Sequence, residues 1–369
     1  MKYIVFRTDA SSLIGAGHLM RCLTFAKLLR KNNFEVFFIC REYEGDLCNY
    51  VESQDFRVSK LPLHNKFYTD KSWQEDAKQT IEAINAFGIK PEWLIVDHYA
   101  LDINWENEIR NSVNNIMVID DLADRSHNCD LLLDQNYYIN MDTRYDDLVP
   151  EHCIKFLGPQ YLLLRNEFEL ALSTQKKRTG SIKRILMSFG GSDSTHETLK
   201  AITALVKIKR KNIKFDIVVG GSNTDSERIK QLCTSMPNVY YHYHIDNMAE
   251  LMARADLAVI AAGSTTWEAS YLSLPVITIM TAKNQFEAIS SLGKQGIVWN
   301  LGWHYDVSSD DIANVIEKAV KSPQRLVKMG ENAKRLLGNT SSFNKIIGAT
   351  KLTSDLCISE LNTSNFEKE

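Results

Sequence analysis

The sequence predicts an α/β protein made of two Rossmann-like domains that face each other across a cleft. Strand and helix signals alternate along the chain, and this alternation is typical of mostly parallel sheets with helices on their faces. The alternation breaks at a polar, basic stretch, residues 173–183, and then begins again. With 369 residues, the chain is long enough for two domains that each bury a core.

Short apolar segments that end in turn residues predict the strands. In the first half they are Tyr3–Phe6, Glu35–Cys40, Trp93–Val96, Ile116–Ile119 and Leu131–Leu133. In the second half they are Arg184–Phe189, Phe215–Val219, Val239–Tyr241, Leu257–Ile260 and Val276–Ile279. Polar residues follow several of the first-half strands. We expect them to converge at the carboxyl edge of the sheet, where open α/β sheets bind ligands.

The composition shift at residues 173–183 predicts the linker between the domains. The first domain is expected to span residues 1–172 and the second domain residues 184–330. A C-terminal helical segment is expected over residues 331–352. Residues 353–369 are rich in Ser, Asn, Thr, Glu and Lys, so they predict a flexible tail.

The bulk composition excludes several classes of protein. The formal net charge is −3, which argues against nucleic acid as the main partner. No run of about 18 apolar residues predicts membrane insertion. The first strand begins by residue 3, which leaves no room for a signal peptide. The seven cysteines are irregularly spaced and lack a C-x-x-C pair, so we expect a cytoplasmic protein with reduced thiols, no metal site and no cofactor.

The first predicted strand runs into a polar loop with Gly15 and Gly17, and His18 begins the helix that follows. Such a strand–loop–helix unit presents backbone N–H groups to an anion, and the helix dipole disfavours a charged imidazolium. We therefore expect His18 to be a general base acting on water, although a capping or packing role is the plain alternative. Arg21 lies one turn later and suits phosphate or carboxylate recognition, unless it is only a solvated surface residue.

Other polar residues of the first half are expected to bind substrate. Asp9 and Ser12 precede the glycines and either contact a diphosphate or serve ordinary turn chemistry. Asp97, His98 and Tyr99 follow one strand, and Asp120-Asp121 follow the next. For these strand-end residues we favour hydrogen bonds to substrate over a metal site, because adjacent carboxylates usually point in different directions.

The second half carries the expected nucleotide site. Gly190 and Gly191 follow its first strand and give a modest phosphate-loop signal. A stronger signal is the run of small residues before a helix, where Gly263, Ser264 and Thr265 offer donors to a diphosphate. Glu268 lies one turn into that helix and is expected to bind both ribose hydroxyls, with a capping box to Thr265 as the alternative. The site is completed by two further polar residues, Asn284 and Gln285.

The pattern Arg7-x-Asp9-Ala10-Ser11-x-x-Ile14-Gly15-x-Gly17-His18-x-x-Arg21 resembles the opening of the UDP-2,4-diacetamido-2,4,6-trideoxy-β-L-altropyranose hydrolases of pseudaminic acid biosynthesis. The likeness continues through residues 96–99, 158–168, 189–193, 261–268 and 284–285. It implies a GT-B architecture similar to that of the glycosyltransferase MurG, with UDP held by the second domain. It also implies that His18 is catalytic, that Arg165 contacts the substrate and that Glu268 lies on the ribose.

The resemblance implies hydrolysis of a UDP-linked diacetamido-trideoxy hexose at its anomeric carbon, with release of UDP and inversion at that carbon. The expected partner is therefore a small-molecule UDP-sugar, and the oligomeric state stays open. Three alternatives remain from the sequence, since fold alone does not fix the chemistry. They are a GT-B glycosyltransferase that uses a UDP-sugar, a nucleotide-sugar-binding protein without catalysis, and a UDP-sugar epimerase.

Overall fold

The computed structural model describes residues 2–11, 14–63, 72–175, 177–208, 210–338 and 343–352. The strands are β1 (Lys2–Thr8), β2 (Phe34–Arg41), β3 (Arg57–Leu61), β4 (Trp93–Asp97), β5 (Asn115–Ile119), β6 (Leu131–Asp134), β7 (Ile154–Leu157), β8 (Arg184–Ser188), β9 (Lys214–Val219), β10 (Val239–Tyr243), β11 (Leu257–Ala261), β12 (Val276–Met280) and β13 (Val298–Trp303).

The helices alternate with these strands. They are α1 (Gly17–Lys31), α2 (Cys48–Ser53), α3 (Ser72–Phe87), α4 (Ile103–Ile109), α5 (Asn166–Thr174), α6 (Glu197–Lys207), α7 (Ser226–Thr234), α8 (Met248–Arg254), α9 (Ser264–Tyr271), α10 (Phe286–Lys294), α11 (Ser309–Val320), α12 (Pro323–Leu337) and α13 (Phe343–Leu352). No helix of the described ranges is long and apolar enough to cross a bilayer.

Two parallel sheets confirm the predicted α/β class. The first has seven strands in the order β3-β2-β1-β4-β5-β6-β7, and the second has six in the order β10-β9-β8-β11-β12-β13. Every predicted strand is present. Three strands, β3, β7 and β13, were not predicted, and each is an edge strand.

The strand order reverses once in each sheet, and these two positions locate the site. In the first sheet the chain leaves β1 for β2 on one side, and β4 pairs with β1 on the other side. In the second sheet β8 lies in the same way between β9 and β11. Open α/β sheets bind ligands beyond the carboxyl ends of strands at such a switch point. The loops after β1, β4, β8 and β11 are therefore the ones expected to line a site.

Helices cover both faces of each sheet and close separate apolar cores. In the first half, α1 and α2 pack on one face and α3 and α4 on the other. In the second half, α6, α7 and α11 cover one face. The other face is covered by α8, α9, α10 and α12. Each half thus has its own interior, as the length of the chain predicts.

The chain crosses between the halves at places that differ from the predicted boundaries. Helix α5 begins within the predicted first domain, 1–172, but its Phe168 packs in the second-half core. The crossing therefore lies just before this helix, near Leu162–Arg165. The predicted linker 173–183 is fastened to the second half, because Arg178 donates to the carbonyls of Met252, Ala255 and Leu272.

The predicted C-terminal helical segment, 331–352, contains two helices that belong to different halves. Helix α12 packs in the second-half core, whereas α13 returns to the first half. There Ile346 and Ile347 are buried with α1, and the indole Nε1 of Trp93 donates to the carbonyl of Thr350 at 3.0 Å. The predicted tail, 353–369, lies outside the described residues.

Candidate active site

Two adjoining cavities lie in the cleft, at the switch points of the two sheets. We call the first the histidine cavity; it has a volume of about 650 Å³ and is lined by His18, Tyr99, Asp121, Trp267 and Lys283, among others. We call the second the glycine cavity; it has a volume of about 550 Å³ and is lined by the loops that follow β8, β9 and β11. The two cavities share Ile14, Gly17, Gly263, Ser264, Ala282 and Gln285.

The loop after β1 brings His18 to the boundary between the cavities. The Gly15 N–H donates to the Ser11 carbonyl at 2.8 Å and closes a tight turn. Gly15 has a φ of 82°, a backbone conformation that side chains with a Cβ rarely adopt. Helix α1 then begins at Gly17 with no side-chain cap and no acidic residue in its first turn. Its N–H groups are therefore available to an anion. Ser12, a predicted ligand, lies outside the described residues.

The His18 ring is held on two sides. Its Nδ1 lies 2.5 Å from Asp97 Oδ1, and its ring meets the Tyr99 ring edge-on at 4.4 Å between centroids. The side chain is 11% exposed and lines the histidine cavity. When the imidazole is neutral and Asp97 accepts the Nδ1 proton, the lone pair lies on Nε2, and no described residue binds Nε2. The arrangement gives the cavity an oriented proton acceptor.

Arg21 and Asp97 form a bidentate pair behind this histidine. Arg21 Nε donates to Asp97 Oδ2 at 2.5 Å and Nη2 donates to Oδ1 at 2.7 Å, while Nη1 reaches Asp121 at 3.1 Å. Burial alone would raise the pKa of Asp97, but Arg21 and His18 outweigh burial and hold it well below its usual range. We predicted both residues to bind substrate. Arg21 lines the histidine cavity, so its contact with substrate stays a prediction. Asp97 lines neither cavity, and its carboxylate binds both His18 and Arg21.

Asp9 and His98 also occupy places that differ from those expected of substrate ligands. Asp9 is 1% exposed and receives two hydrogen bonds from Arg7, at 2.5 and 3.0 Å. It accepts a third from the backbone N–H of Arg41 and a fourth from His98 Nε2. Burial opposes ionisation, but Arg7 and His98 lower the pKa of Asp9 far below its usual value. This ion-pair network extends to Asp76 and supports the loop from beneath.

Tyr99 links the two halves across the histidine cavity. Its hydroxyl accepts a hydrogen bond from Asn284 Nδ2 at 2.9 Å. Burial, with Asp121 close by, raises the pKa of this phenol, so it keeps its proton at neutral pH. Asn284, predicted as a nucleotide ligand, thus lies on the histidine side of the cleft. Gln285 lines both cavities, and its Oε1 accepts from the N–H groups of Thr281 and Ala282.

Much of the glycine cavity is lined by glycine-rich loops, with Arg165, Asp193 and Glu268 as its charged lining residues. Gly190 has a φ of 93°, and a Cβ at Gly190 or Gly191 would meet nothing within 4 Å, so both present open backbone to the cavity. Helix α9 begins at Ser264 after Gly263, again with no acidic residue in its first turn. Thr265 also lines this cavity. Two helix N-termini, those of α1 and α9, therefore meet where the cavities join.

Glu268 is fixed from the other half of the molecule. Arg165 Nε and Nη2 donate to its Oε1 at 3.2 and 2.9 Å, and Arg165 also pairs with Glu167 at 2.7 Å. The capping alternative does not hold, since the Gly263 N–H is paired with Thr266 Oγ1. Burial raises the pKa of Glu268, and Arg165 opposes that shift. No described residue binds its Oε2. Arg165 lines the glycine cavity and binds Glu268, and its contact with substrate stays a prediction.

Trp267 and Lys283 are among the lining residues that the sequence analysis did not single out. Trp267 donates from Nε1 to Asn136 Oδ1 at 2.8 Å and so joins the halves beneath the histidine cavity. Lys283 begins the turn before α10 and is exposed at the mouth of that cavity. Trp267 lies beside the strong Gly-Ser-Thr signal and Lys283 directly precedes the predicted Asn284. Proximity in sequence to predicted site residues could therefore have identified both as lining residues.

Residues 185–347 match the family model described as "Glycosyltransferase family 28 C-terminal domain". The crystal structure of Acinetobacter baumannii MurG superposes with a TM-score of 0.63 at 12% identity, covering 95% of this chain and all of that one. The fold is therefore of the GT-B type. This confirms the predicted architecture and its likeness in fold to MurG.

The sequence comparison confirms the resemblance to the hydrolases. A "UDP-2,4-diacetamido-2,4,6-trideoxy-beta-L-altropyranose hydrolase" of Campylobacter jejuni is 28% identical over 295 residues, which is 79% of this chain and 97% of the relative. An uncharacterized protein of Methanocaldococcus jannaschii is 26% identical over 354 residues, covering 90% of this chain and 69% of the relative. The chain is thus related to nucleotide-sugar proteins with a GT-B fold.

Proposed function

We propose that this protein hydrolyses a UDP-linked diacetamido-trideoxy hexose, UDP-2,4-diacetamido-2,4,6-trideoxy-β-L-altrose, in pseudaminic acid biosynthesis. The observation that carries the proposal is His18. Its Nδ1 is bound to Asp97 and its free Nε2 borders a cavity that joins the glycine cavity. The sequence likeness to the Campylobacter hydrolase supports the choice of substrate.

The two cavities divide the substrate between them. The nucleoside and diphosphate occupy the glycine cavity, with Glu268 Oε2 available to the ribose hydroxyls. The sugar occupies the histidine cavity, whose amide side chains and apolar wall suit acetamido groups and a methyl group. The diphosphate lies at the junction, where the N-termini of α1 and α9 meet. Both helices lack acidic first-turn residues, so their dipoles favour the anion there.

The reaction is a single displacement at the anomeric carbon. His18 Nε2 accepts a proton from a water molecule while the water oxygen forms a bond to that carbon. The bond from the carbon to the diphosphate oxygen breaks, and its electron pair stays on that oxygen, so UDP leaves with one added negative charge. The proton on His18 then passes to solvent. Attack from the side opposite UDP inverts the anomeric configuration.

A direct test is to incubate the purified protein with a panel of UDP-amino-sugars, with no acceptor other than water. Nuclear magnetic resonance then records released UDP and the configuration of the first-formed sugar. We expect UDP release from the diacetamido-trideoxy substrate and an inverted anomer. Retention of configuration would contradict a single displacement by water.

A glycosyltransferase is the second candidate, favoured by the family 28 match over residues 185–347 and by the MurG fold. Both activities need the same nucleotide site. They differ in whether a second organic substrate receives the sugar. If UDP appears only when a hydroxyl-bearing acceptor is added, the transferase assignment replaces the hydrolase. Tight binding of the UDP-sugar without turnover under either condition would indicate a binding protein.

A further inference from the structure

We propose that Lys283 binds the terminal phosphate of the UDP group and stabilises the charge that this phosphate gains as UDP leaves. The proposal rests on the proposed function for its role in catalysis. The binding it predicts can be measured without any turnover. It concerns a residue at the mouth of the histidine cavity, on the turn Lys283–Gln285 between β12 and α10.

Lys283 differs from the other cationic residues that line the two cavities, because they are paired with protein carboxylates. Three lysine and arginine side chains line the cavities within the described residues: Arg21, Arg165 and Lys283. Arg21 is paired with Asp97 and Asp121. Arg165 is paired with Glu167 and Glu268. Both guanidinium groups are thus neutralised by protein carboxylates, and neither brings net positive charge to a bound diphosphate.

Lys283 has no such partner. Its ammonium makes no ion pair or hydrogen bond with any part of the chain that the structure describes. The turn that carries it is fixed, because Gln285 Oε1 accepts from the N–H groups of Thr281 and Ala282. Its neighbours Ala282 and Gln285 line both cavities, so Lys283 lies beside the junction assigned to the diphosphate.

The position on the histidine side identifies which phosphate it reaches. Lys283 lines the histidine cavity and is absent from the lining of the glycine cavity. The phosphate bonded to the sugar lies nearest to the anomeric carbon and to His18, whereas the other phosphate is attached to the ribose. Breakage of the carbon–oxygen bond puts the new negative charge on the sugar-side phosphate. A lysine there interacts more strongly with the transition state than with the bound substrate.

Binding of UDP and of UMP by calorimetry tests this assignment, because only UDP carries the terminal phosphate. We expect Lys283→Met to weaken UDP binding by about tenfold and to leave UMP binding within about twofold, as for loss of one charge-assisted contact. Lys283→Arg should restore most of the UDP affinity. The matched control is Lys294→Met, since Lys294 is exposed on the adjoining α10 and lines neither cavity. This control should change neither affinity.

Turnover gives a second readout. With the UDP-sugar substrate, Lys283→Met should lower kcat by a larger factor than it raises KM. Unchanged UDP affinity in Lys283→Met would overturn the proposal, and so would equal weakening of UDP and UMP. Failure of the wild-type protein to hydrolyse any UDP-sugar would instead count against the proposed function, while the difference between UDP and UMP would still test Lys283.

Discussion

A histidine can direct a water molecule only if its ring keeps one orientation and one tautomer. At His18 the Asp97 carboxylate supplies both, and the edge of Tyr99 limits rotation of the ring. Arg21 binds both oxygens of Asp97, so the carboxylate is itself held in place. In the proposed mechanism, the base and its orienting group therefore act as one unit.

We predict that His18→Ala lowers turnover by ~10²–10⁴-fold, the usual contribution of one positioned base, and leaves UDP binding intact.

Asp97→Asn should lower kcat by roughly 10- to 100-fold, because an amide can donate to Nδ1 and so favour the other tautomer of His18. Steady-state kinetics and UDP titration measure both effects. Full activity in either variant would remove the residue from the mechanism.

Glu268 is expected to accept hydrogen bonds from the ribose hydroxyls at its Oε2, which no described residue binds. If it does, Glu268→Ala should weaken UDP binding by about tenfold but should weaken 2′-deoxy-UDP less, because that ligand lacks one of the two hydroxyls. Calorimetric titration of both ligands gives the ratio. If the ratio of UDP affinity to 2′-deoxy-UDP affinity is the same in Glu268→Ala as in the wild type, Glu268 serves only to pair with Arg165.

The roles of single residues divide into those that local sequence predicts and those that it does not. The glycines and the helix start around His18 were sufficient to single it out. The Asp97 contact joins residues 79 positions apart, and the Asp9–His98 contact joins residues 89 apart. Such pairings depend on the order of strands in the sheet. A polar residue after a strand therefore predicts the edge of the sheet on which it lies, but not whether it contacts substrate or protein.

At the scale of elements, the strands that the sequence missed have a common physical cause. Central strands such as β4 are buried at every position, so they form continuous apolar runs. The missed strands β3, β7 and β13 are edge strands, and most positions of β3 and β13 and half of those of β7 are partly or fully exposed. Edge strands carry polar and charged residues, and this weakens the apolar signal. The edge strand β10 was predicted because its aromatic and β-branched residues keep a strand signal.

The ends of β5 and β6 bring three carboxyl groups together, those of Asp120, Asp121 and Asp134. Burial, together with Asp121 and then Asp120, raises the pKa of Asp134 to about 8. Its oxygens accept from the Asn136 N–H at 3.0 Å and the Tyr145 hydroxyl at 3.1 Å. A neutral carboxyl therefore helps to form the wall behind the histidine cavity.

This raised pKa predicts a pH dependence of stability. The folded protein keeps the Asp134 proton that the unfolded chain releases near pH 4, so this stabilising term is lost as the pH rises toward 8. Carboxyls whose pKa is lowered in the folded protein, such as that of Asp97, are ionised in both the folded and the unfolded state above about pH 5. They therefore do not make the unfolding free energy depend on pH in that range. Asp134→Asn should reduce the loss of unfolding free energy between pH 5 and 8 by roughly 1–3 kcal/mol.

Denaturant titration at several pH values measures that slope. The matched control is Asp124→Asn, because Asp124 is an exposed carboxyl in the loop after Asp120 and Asp121. This control should keep the slope of the wild type. An unchanged slope in Asp134→Asn would show that Asp134 is ionised in the folded protein at neutral pH.

At the scale of the whole molecule, the two halves are joined by more than the cleft. Contacts across the cleft include Arg165 with Glu268, Trp267 with Asn136, and Arg144 with Glu287. The return of α13 to the first half adds a covalent tie. The sequence predicted two domains and a C-terminal helical segment. It did not predict where the chain crosses, because α5 and α13 are short helices and their apolar residues alone do not indicate which core they join.

Removal of α13 tests this account of the crossing. It buries Ile346 and Ile347, each worth roughly 1.5–3 kcal/mol on full burial. A chain ended after Gly338 should therefore unfold at a clearly lower temperature than one ended after Leu352, which keeps α13. Thermal unfolding monitored by circular dichroism compares the two. Equal midpoints for both truncations would contradict the packing of α13 into the first-half core.

The central claim is that His18 directs water to the anomeric carbon of a UDP-sugar. The most direct test is hydrolysis in oxygen-18-labelled water. Mass spectrometry shows whether the released UDP carries the label, and nuclear magnetic resonance gives the configuration of the first-formed sugar. The account predicts UDP without the label and a sugar of inverted configuration, because the carbon–oxygen bond breaks. Label in the terminal phosphate of UDP would contradict it, since water would then have attacked phosphorus.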